Sequence, residues 1–251
     1  MDVADRLIAE NAAFADLLAD ADPSTPVPTC PGWTLDQLTR HVGRGDRWCA
    51  RIVAERSGEF IDPPGGRPPE DRDGRIAWLH EGVTGLIEAV ESSGPDTPVW
   101  TFTGLRPARW WIRRRLHETA VHRADAALAL GADFEIDPVV AADGISEFLG
   151  LMVSRADAEG PAGGDRPLGA GQSLHLHATD DGLGAAGEWT VLGRPDGIAT
   201  DHEHISATVA LRGPARDLLL VLVRRRTAAE SGLAVFGDHT VWDTWLARTP
   251  F

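Results

Sequence analysis

One short stretch of the chain, LHETAVH at residues 116–122, contains three side chains that could bind a metal ion. The zinc-protease signature H-E-x-x-H places two histidines four residues apart on one helical face. His117 and His122 are five residues apart, which separates them by about 140° around a helix axis. They therefore cannot ligate one ion from one helix. Glu118 and His122 are four apart and share a face, so these two could bind an ion together.

A third ligand must come from another element, and the pattern of apolar residues indicates which elements are present. Apolar residues recur at helical spacing in four segments, residues 3–20, 34–55, 75–92 and 108–130. Thr34 followed by Gln37 forms a capping box that predicts the start of the second helix. Gly131 is a favourable residue just past the end of the fourth. Four long helices in succession predict a helix bundle.

Metal ligands in helix bundles project inward from facing helices, often as a pair on one helix with single residues on others. His41 lies inside the second predicted helix and completes a two-histidine, one-glutamate set with Glu118 and His122. Three protein ligands leave one position open, which is typical of catalytic zinc. Asp125 could orient an imidazole, or it could be a solvated carboxylate. Cys49, eight residues after His41, is a minor ligand candidate whose alternative is a buried thiol.

Two glycines follow His41 closely within the second predicted helix. Gly43 and Gly45 cost helix stability relative to alanine, so their presence suggests close approach by a ligand or by another helix. The sequence does not separate these two explanations.

The second half of the chain has a different periodicity. A fifth helix is predicted after Pro138, and residues 157–173 are rich in glycine and proline, as expected for a linker. Beyond residue 173 apolar and polar residues alternate, Asp-Gly pairs mark turns, and two helices follow. We therefore predict a two-domain α+β protein, with a metal-binding four-helix bundle over 1–156, a linker over 157–173 and a small α+β domain over 174–251.

Several further residues are candidates for contacts with small molecules. Each of two arginine runs is either a solvated helix face or the source of one residue that clamps an anionic substrate; the runs are Arg113, Arg114, Arg115 and Arg224, Arg225, Arg226. Three more side chains could line the open side of the metal, although core packing is the alternative for the aromatic ones; they are Arg44, Trp48 and Trp110.

The remaining histidines give a weaker signal. His175 and His177 share one strand face in LHLH and could bind a metal, but no third partner with ligand spacing is evident. Alternating polar residues are also expected on the solvated side of a strand. His202 and His204 receive the same interpretation.

Composition restricts the classes of function. The 251 residues have a formal net charge of −14, which argues against a nucleic-acid partner because phosphate binding needs a basic surface. The N-terminus lacks the pattern of an export signal and no apolar run is long enough for a membrane span, so we expect a cytoplasmic protein with no membrane partner. Cys30 and Cys49 are too few for a disulfide framework; Cys30 is expected to pack with Trp33.

Two N-terminal blocks, VPTCPGWTLDQLTRHVGRGDRWC and RRRLHETAVHRADA, together resemble the mycothiol-dependent maleylpyruvate isomerase family of actinobacteria, whose first domain is related to the DinB four-helix proteins. The C-terminal half, from SLHLHATDDG to GDHTVWDTWLARTPF, is similar to the family's second domain, which resembles sterol carrier proteins. The resemblance implies that the family's zinc ligands fall on His41, Glu118 and His122. Many relatives read H-R-W-D where this chain has Ala124, so the bound substrate is left open.

The resemblance also implies the cofactors and the chemistry. The expected cofactors are Zn²⁺, or another divalent metal, and mycothiol as thiol cosubstrate; the expected partner is a small electrophile. Thiolate addition followed by bond rotation and elimination would isomerise a maleylpyruvate-type double bond, whereas addition or displacement alone would give an S-conjugate. The alternative is a non-catalytic binder of small molecules or lipids with a structural or vestigial metal. A zinc sensor resembling anti-sigma factors is disfavoured because cysteine-rich ligands are missing. Monomer and homodimer are both open.

Overall fold

The computed structural model describes residues 2–159 and 166–249. The chain folds as two compact units, Met1–Phe134 and Glu135–Phe251, called here the first and second unit. The first is helical apart from one small hairpin, and the second combines a sheet with helices. The prediction of a two-domain α+β protein is therefore confirmed. Among the described residues no helix is both long enough and apolar enough to span a bilayer.

The first unit contains the four predicted helices, which are α1 (Val3–Leu18), α2 (Leu35–Ala54), α3 (Arg72–Ser93) and α4 (Arg109–Leu130). At the start of α2 the backbone N–H of Thr34 donates to Oε1 of Gln37 at 2.8 Å, as the capping box predicts. At the end of α4 Gly131 adopts the left-handed conformation, with φ of 64°.

The connection before α4 is more regular than the sequence suggests. The sequence SGPDTPVWTFTGLRP at residues 93–107 indicates an extended connection, but the structure forms a hairpin there from β1 (Pro98–Thr101) and β2 (Gly104–Pro107). The hydroxyl of Thr101 donates to the backbone carbonyl of Gly104 at 2.6 Å and closes the turn. Gly104 has a positive φ of 92°, which favours glycine at this position.

Apolar side chains from all four helices form the core of the bundle. Its fully buried members include Phe14, Leu35, Leu38, Val42 and Leu79. Burying a side chain of this size contributes about 1.5–3 kcal/mol relative to exposure. These contacts hold α2 against the other helices of the bundle.

The two helix glycines face neighbouring helices. A Cβ at Gly43 would lie 2.0 Å from the Trp78 ring of α3, and one at Gly45 would lie 2.7 Å from Nη1 of Arg115 on α4. Both are distances that no Cβ can adopt without a shift of the neighbour. The close approach inferred from sequence is therefore explained by helix packing.

A buried ion pair joins α2 to α4. Nε of Arg115 donates to Oδ1 of Asp46 at 2.7 Å, and its Nη2 donates to the backbone carbonyl of Val42 at 2.9 Å. Asp46 is fully buried and Arg115 nearly so. Burial alone would lower the pKa of Arg115, but the nearby carboxylates of Asp46 and Glu118 outweigh it and hold that pKa above its ordinary value. The solvated-face interpretation of the first arginine run is wrong for Arg115, and also for the buried Arg114.

The second unit contains a five-stranded sheet in the order β5-β4-β3-β6-β7. The strands are β3 (Ser173–Ala178), β4 (Glu188–Arg194), β5 (Gly197–Asp201), β6 (Val209–Gly213) and β7 (Ala234–Gly237). Among the strands of residues 2–159 and 166–249, β3 and β6 are the one parallel pair, and the other neighbours are antiparallel. The helices are α5 (Pro138–Glu159), α6 (Ala215–Leu222) and α7 (His239–Arg248). Leu174 and Leu176 of the central strand are fully buried.

The fifth helix belongs to the second unit. It packs against α6 and β5, and the hydroxyl of Ser146 accepts a hydrogen bond from Nε1 of Trp189 at 2.8 Å. The boundary expected from composition lies at 156, whereas the two units divide between residues 134 and 135. Part of the expected linker, residues 160–165, lies outside the described residues.

The ion pair between α2 and α4 gives a prediction about stability. Asp46→Ala leaves the Arg115 guanidinium buried without its carboxylate, so we expect the free energy of unfolding to fall by about 3–5 kcal/mol. Glu55→Ala is the control, because it removes a pair with Arg51 whose side chains are 48% and 46% exposed. That change should cost about 0.5 kcal/mol. Urea unfolding followed by tryptophan fluorescence measures both; equal losses would contradict the prediction.

Candidate metal centre

Three potential ligand atoms from two helices converge in the first unit. Nε2 of His41, on α2, lies 3.2 Å from Oε1 of Glu118, on α4. Nε2 of His122, one turn further along α4, lies 3.3 Å from the same oxygen. The two imidazole rings meet edge to face with centroids 4.9 Å apart. The structure thus brings together the three residues that spacing and resemblance had selected.

These separations suit a tetrahedral ion. Zinc bonds of 2.0–2.1 Å to nitrogen and oxygen place neighbouring ligand atoms of a tetrahedron about 3.3–3.4 Å apart. The distances of 3.2 and 3.3 Å match that edge. Two imidazoles with one carboxylate are also a donor set that zinc prefers. The residues therefore fit a divalent metal without rearrangement of the helices.

Arg114 holds the other oxygen of the shared carboxylate. Its Nε lies 3.2 Å from Oε2 of Glu118, and its Nη2 also donates to that oxygen. Burial opposes ionisation of Glu118, but Arg114 and hydrogen bonds from His122 and His41 hold the pKa of this carboxyl well below its ordinary value. Oε1 is thereby left as the oxygen available to a metal.

The second nitrogen of His122 is held by a buried carboxylate. Nδ1 of His122 lies 2.9 Å from Oδ2 of Asp125, and Asp125 is fully buried. Thr29 donates to Oδ1 of Asp125 at 2.6 Å, and Sγ of Cys30 lies 3.4 Å from Oδ2. An imidazole whose Nδ1–H is donated to a carboxylate presents its Nε2 lone pair to a metal. Asp125 is thus placed to position His122 and does not itself face the convergence point.

Without a metal, His122 holds a proton tightly. Burial by itself would lower the pKa of this imidazole, but hydrogen bonds with Asp125, Cys30 and Glu118 raise it to about 10. A metal at Nε2 replaces this proton, because only the neutral imidazole has a lone pair there. The metal and the proton therefore compete for one atom.

The two cysteines have different surroundings. Cys30 was expected only to pack near Trp33, but it also reaches the carboxylate that holds His122. Cys49 is 1% exposed, and burial raises the pKa of its thiol. Within the described residues Cys49 belongs to no group of converging ligands. It is a buried thiol, and the minor candidacy as a ligand is not supported.

Arg44 and Trp48, which were predicted to line the open side of the metal, follow His41 on the same face of α2. Arg44 donates from Nε to the backbone carbonyl of Pro64 at 3.0 Å, and Trp48 donates from Nε1 to that of Ile61 at 2.7 Å. Both side chains hold the loop after α2 against the helix. The Trp48 ring also belongs to an aromatic cluster with Phe60, Trp100, Phe102 and Trp111.

The other candidates lie elsewhere. Trp110 lines a pocket of about 440 Å³ together with Val3, Pro107 and Arg113, none of which is a metal-site residue. Arg224, Arg225 and Arg226 follow α6 in the second unit and line a pocket of about 710 Å³ with residues of α7.

Sequence reasoning missed two neighbours of the metal centre. Arg114 was considered only as one member of an arginine run, although its spacing of four from Glu118 was a usable signal. Trp33 lies with its ring centroid 5.0 Å from that of His41 and 6.4 Å from that of His122. No local pattern marks this contact, because it depends on how the segment before α2 folds back. His117 is buried and takes no part in the centre.

The fold and the converging side chains define a class of protein, a helical bundle with a candidate His2Glu ligand set followed by an α+β domain. Family models identify the class further: residues 4–127 match the mycothiol maleylpyruvate isomerase N-terminal domain, and residues 139–244 match the C-terminal domain of the same family. The chain therefore belongs to the mycothiol-dependent maleylpyruvate isomerase family, a family of enzymes. The family prediction made from sequence is confirmed.

Solved structures support the fold. The crystal structures of the mycothiol-dependent maleylpyruvate isomerase and of a histidine-to-alanine mutant of it each match with a TM-score of 0.57. Each solved chain is 19% identical in sequence to this protein. Each match covers 90% of this chain and 91% of the solved chain. No curated protein sequence matches the chain.

The role of Asp125 can be tested through metal affinity. Asp125→Asn removes the charge that fixes the tautomer of His122, so we expect zinc affinity to fall about 10–100-fold. Competition with a chromophoric chelator measures the change. Asp36→Asn on α2 is the control, since Asp36 pairs with Arg40 at the surface and should leave the affinity unchanged. Equal affinities for the two variants would remove Asp125 from the centre.

The raised pKa of His122 predicts how the metal-free protein responds to pH. The folded protein keeps this proton up to about pH 10, while the unfolded chain releases it near the ordinary value of 6.5. Its stabilisation is therefore complete below pH 6.5 and is lost as pH rises toward 10, by at most about 1.4 kcal/mol per pH unit. Urea unfolding of chelator-treated protein at pH 7 and pH 8.5 should show this loss. In His122→Gln the free energy of unfolding should change less between these two pH values. Equal changes in the wild type and the variant would contradict the prediction.

Proposed function

We propose that this chain is a zinc-dependent enzyme that uses mycothiol as a thiol cosubstrate and acts on a small electrophile. The single observation that carries the proposal is the convergence of His41, Glu118 and His122 at distances suited to one ion. Three protein ligands leave a coordination position for a fourth donor, as in catalytic zinc sites. Membership of the family supplies the thiol.

The ion would contribute acidification of the thiol. His41, Glu118 and His122 would hold a zinc ion, which would lower the pKa of a coordinated thiol and so favour the thiolate, the competent nucleophile, near neutral pH. The protein itself offers no such thiolate from Cys49, because burial raises the pKa of that group. An external thiol is therefore the better candidate for the nucleophile.

The surrounding residues prepare the ligands. Arg114 occupies Oε2 of Glu118, so that this carboxylate keeps a single oxygen for the ion. Asp125 fixes the ring orientation of His122, and Trp33 packs against both imidazoles. Because Glu118 and His122 are about one-fifth and one-twelfth exposed while His41 is 41% exposed, access is from the side of His41. Arg44, three residues after His41, is proposed to lie on that side.

Two outcomes follow from the same nucleophile. In the first, the thiolate adds to a conjugated double bond, after which the new single bond rotates and the sulfur is expelled. In that case the substrate is isomerised and the thiol is recovered. If the sulfur stays bound, or displaces a leaving group, the product is an S-conjugate. The family name favours isomerisation of the maleylpyruvate type. Mass spectrometry of the products distinguishes an isomer from an adduct.

The decisive experiment combines metal analysis with turnover. The purified zinc form is incubated with mycothiol and with maleylpyruvate or a bimane electrophile, and products are identified by mass spectrometry. We expect turnover that requires mycothiol and that falls at least about 100-fold in His41→Ala, because a ligand is lost. His80→Ala is the matched control, since His80 is exposed on α3 and should leave turnover unchanged.

The alternative, a non-catalytic binder with a structural or vestigial metal, makes the opposite prediction. It would give no mycothiol-dependent product with either electrophile. Thiol-dependent turnover that survives in His41→Ala would also rule out a role for this centre in catalysis.

A further inference from the structure

A second group of metal-ligating side chains lies in the second unit. His175 and His177 on β3, Glu188 on β4 and His204 in the segment after β5 each contribute an atom to one cluster, and these atoms lie within 4.8 Å of one another. Nε2 of His175 lies 2.6 Å from Oε2 of Glu188. Nδ1 of His177 and Nδ1 of His204 lie 2.8 and 3.1 Å from its Oε1.

Sheet register creates this cluster. His175 and His177 alternate with the buried Leu174 and Leu176, so both imidazoles project from the opposite face of the central strand. Antiparallel pairing places Glu188 directly opposite His177. The missing partner that the sequence did not reveal is therefore supplied by the neighbouring strand.

The segment between β5 and β6 closes the cluster. The ring centroid of His204 lies 4.9 Å from that of His175 and 5.7 Å from that of His177. Nδ1 of the nearby His202 lies 2.8 Å from the backbone carbonyl of Glu188, which holds this segment beside β4. The expectation that His175 lies on a solvated strand face is wrong, because its side chain is only 4% exposed.

The cluster combines three imidazoles with one carboxylate. Arg212 on β6 is the register partner of His177 and lines the same pocket of about 450 Å³. Neutral imidazoles present lone pairs, which together with a carboxylate oxygen suit zinc and similar first-row metals.

We propose that His175, His177, Glu188 and His204 form a second metal centre, a Zn²⁺ site that ties segment 202–208 to β3 and β4. With four protein ligands the site is closed, which is the pattern of structural zinc. The inference concerns residues that the proposed catalysis does not use, and it stands independently of that function.

Metal stoichiometry tests the proposal on the full chain. Wild-type protein loaded with zinc and passed through gel filtration with a weak chelator should retain two equivalents by mass spectrometry. The double variant His177→Ala/His204→Ala should retain one, as should His41→Ala, which affects only the first centre. His239→Ala is the matched control and should retain two, because that histidine is exposed at the start of α7 and is not a member of the cluster.

A second readout is thermal. Zinc should raise the thermal midpoint of His41→Ala but not that of the triple variant His41→Ala/His177→Ala/His204→Ala. Since the His204 side chain is 71% exposed, His204→Ala alone provides a variant whose fold is not at risk.

The outcomes separate the two centres. If the wild type retains one equivalent of zinc, and this equivalent persists in His41→Ala but is lost in the double variant, the second centre is supported and the first is removed. One equivalent that is lost in His41→Ala would overturn the second centre. Two equivalents retained in the double variant would also overturn it, since the second ion would then be bound elsewhere. Wild-type protein that retains no zinc would overturn both.

Discussion

The contact between α2 and α4 is the constraint on which the metal centre depends. Asp46 and Arg115 are buried together, so separating the helices would leave a charge without a partner in the core. The same contact brings His41 close to Glu118, although these two residues are 77 positions apart in the chain. Gly45 permits the approach, because any larger residue would collide with the guanidinium.

Electrostatics within the centre are arranged around two carboxylates with different tasks. Glu118 lies between Arg114 and two imidazoles, which keeps it ionised in spite of burial. Asp125 is buried deeper and acts on His122 from the far side of the ring. One carboxylate is thereby free to bind an ion, and the other keeps the imidazole in the orientation needed for that ion.

The first and second units assemble ligands by the same local rule applied to different elements. In the helical unit the pair Glu118 and His122 is spaced by four, which is the helix repeat. In the sheet unit the pair His175 and His177 is spaced by two, which is the strand repeat. In both cases a periodic pair on one element is completed by residues that come from elsewhere in the fold, so a pair alone is a weak indication of a site.

The sequence by itself determined the four helices of the bundle and the caps at Thr34 and Gly131, and it selected the three residues that are proposed as ligands of the first centre. It could do so because helix periodicity and capping are local, and because two motifs matched a known family. Only the tertiary structure decided that Arg114 and Trp33 adjoin that centre and that Glu188 and His204 join the histidines of β3. Strand register and the path of a loop fix those contacts, and both depend on packing between segments distant in sequence.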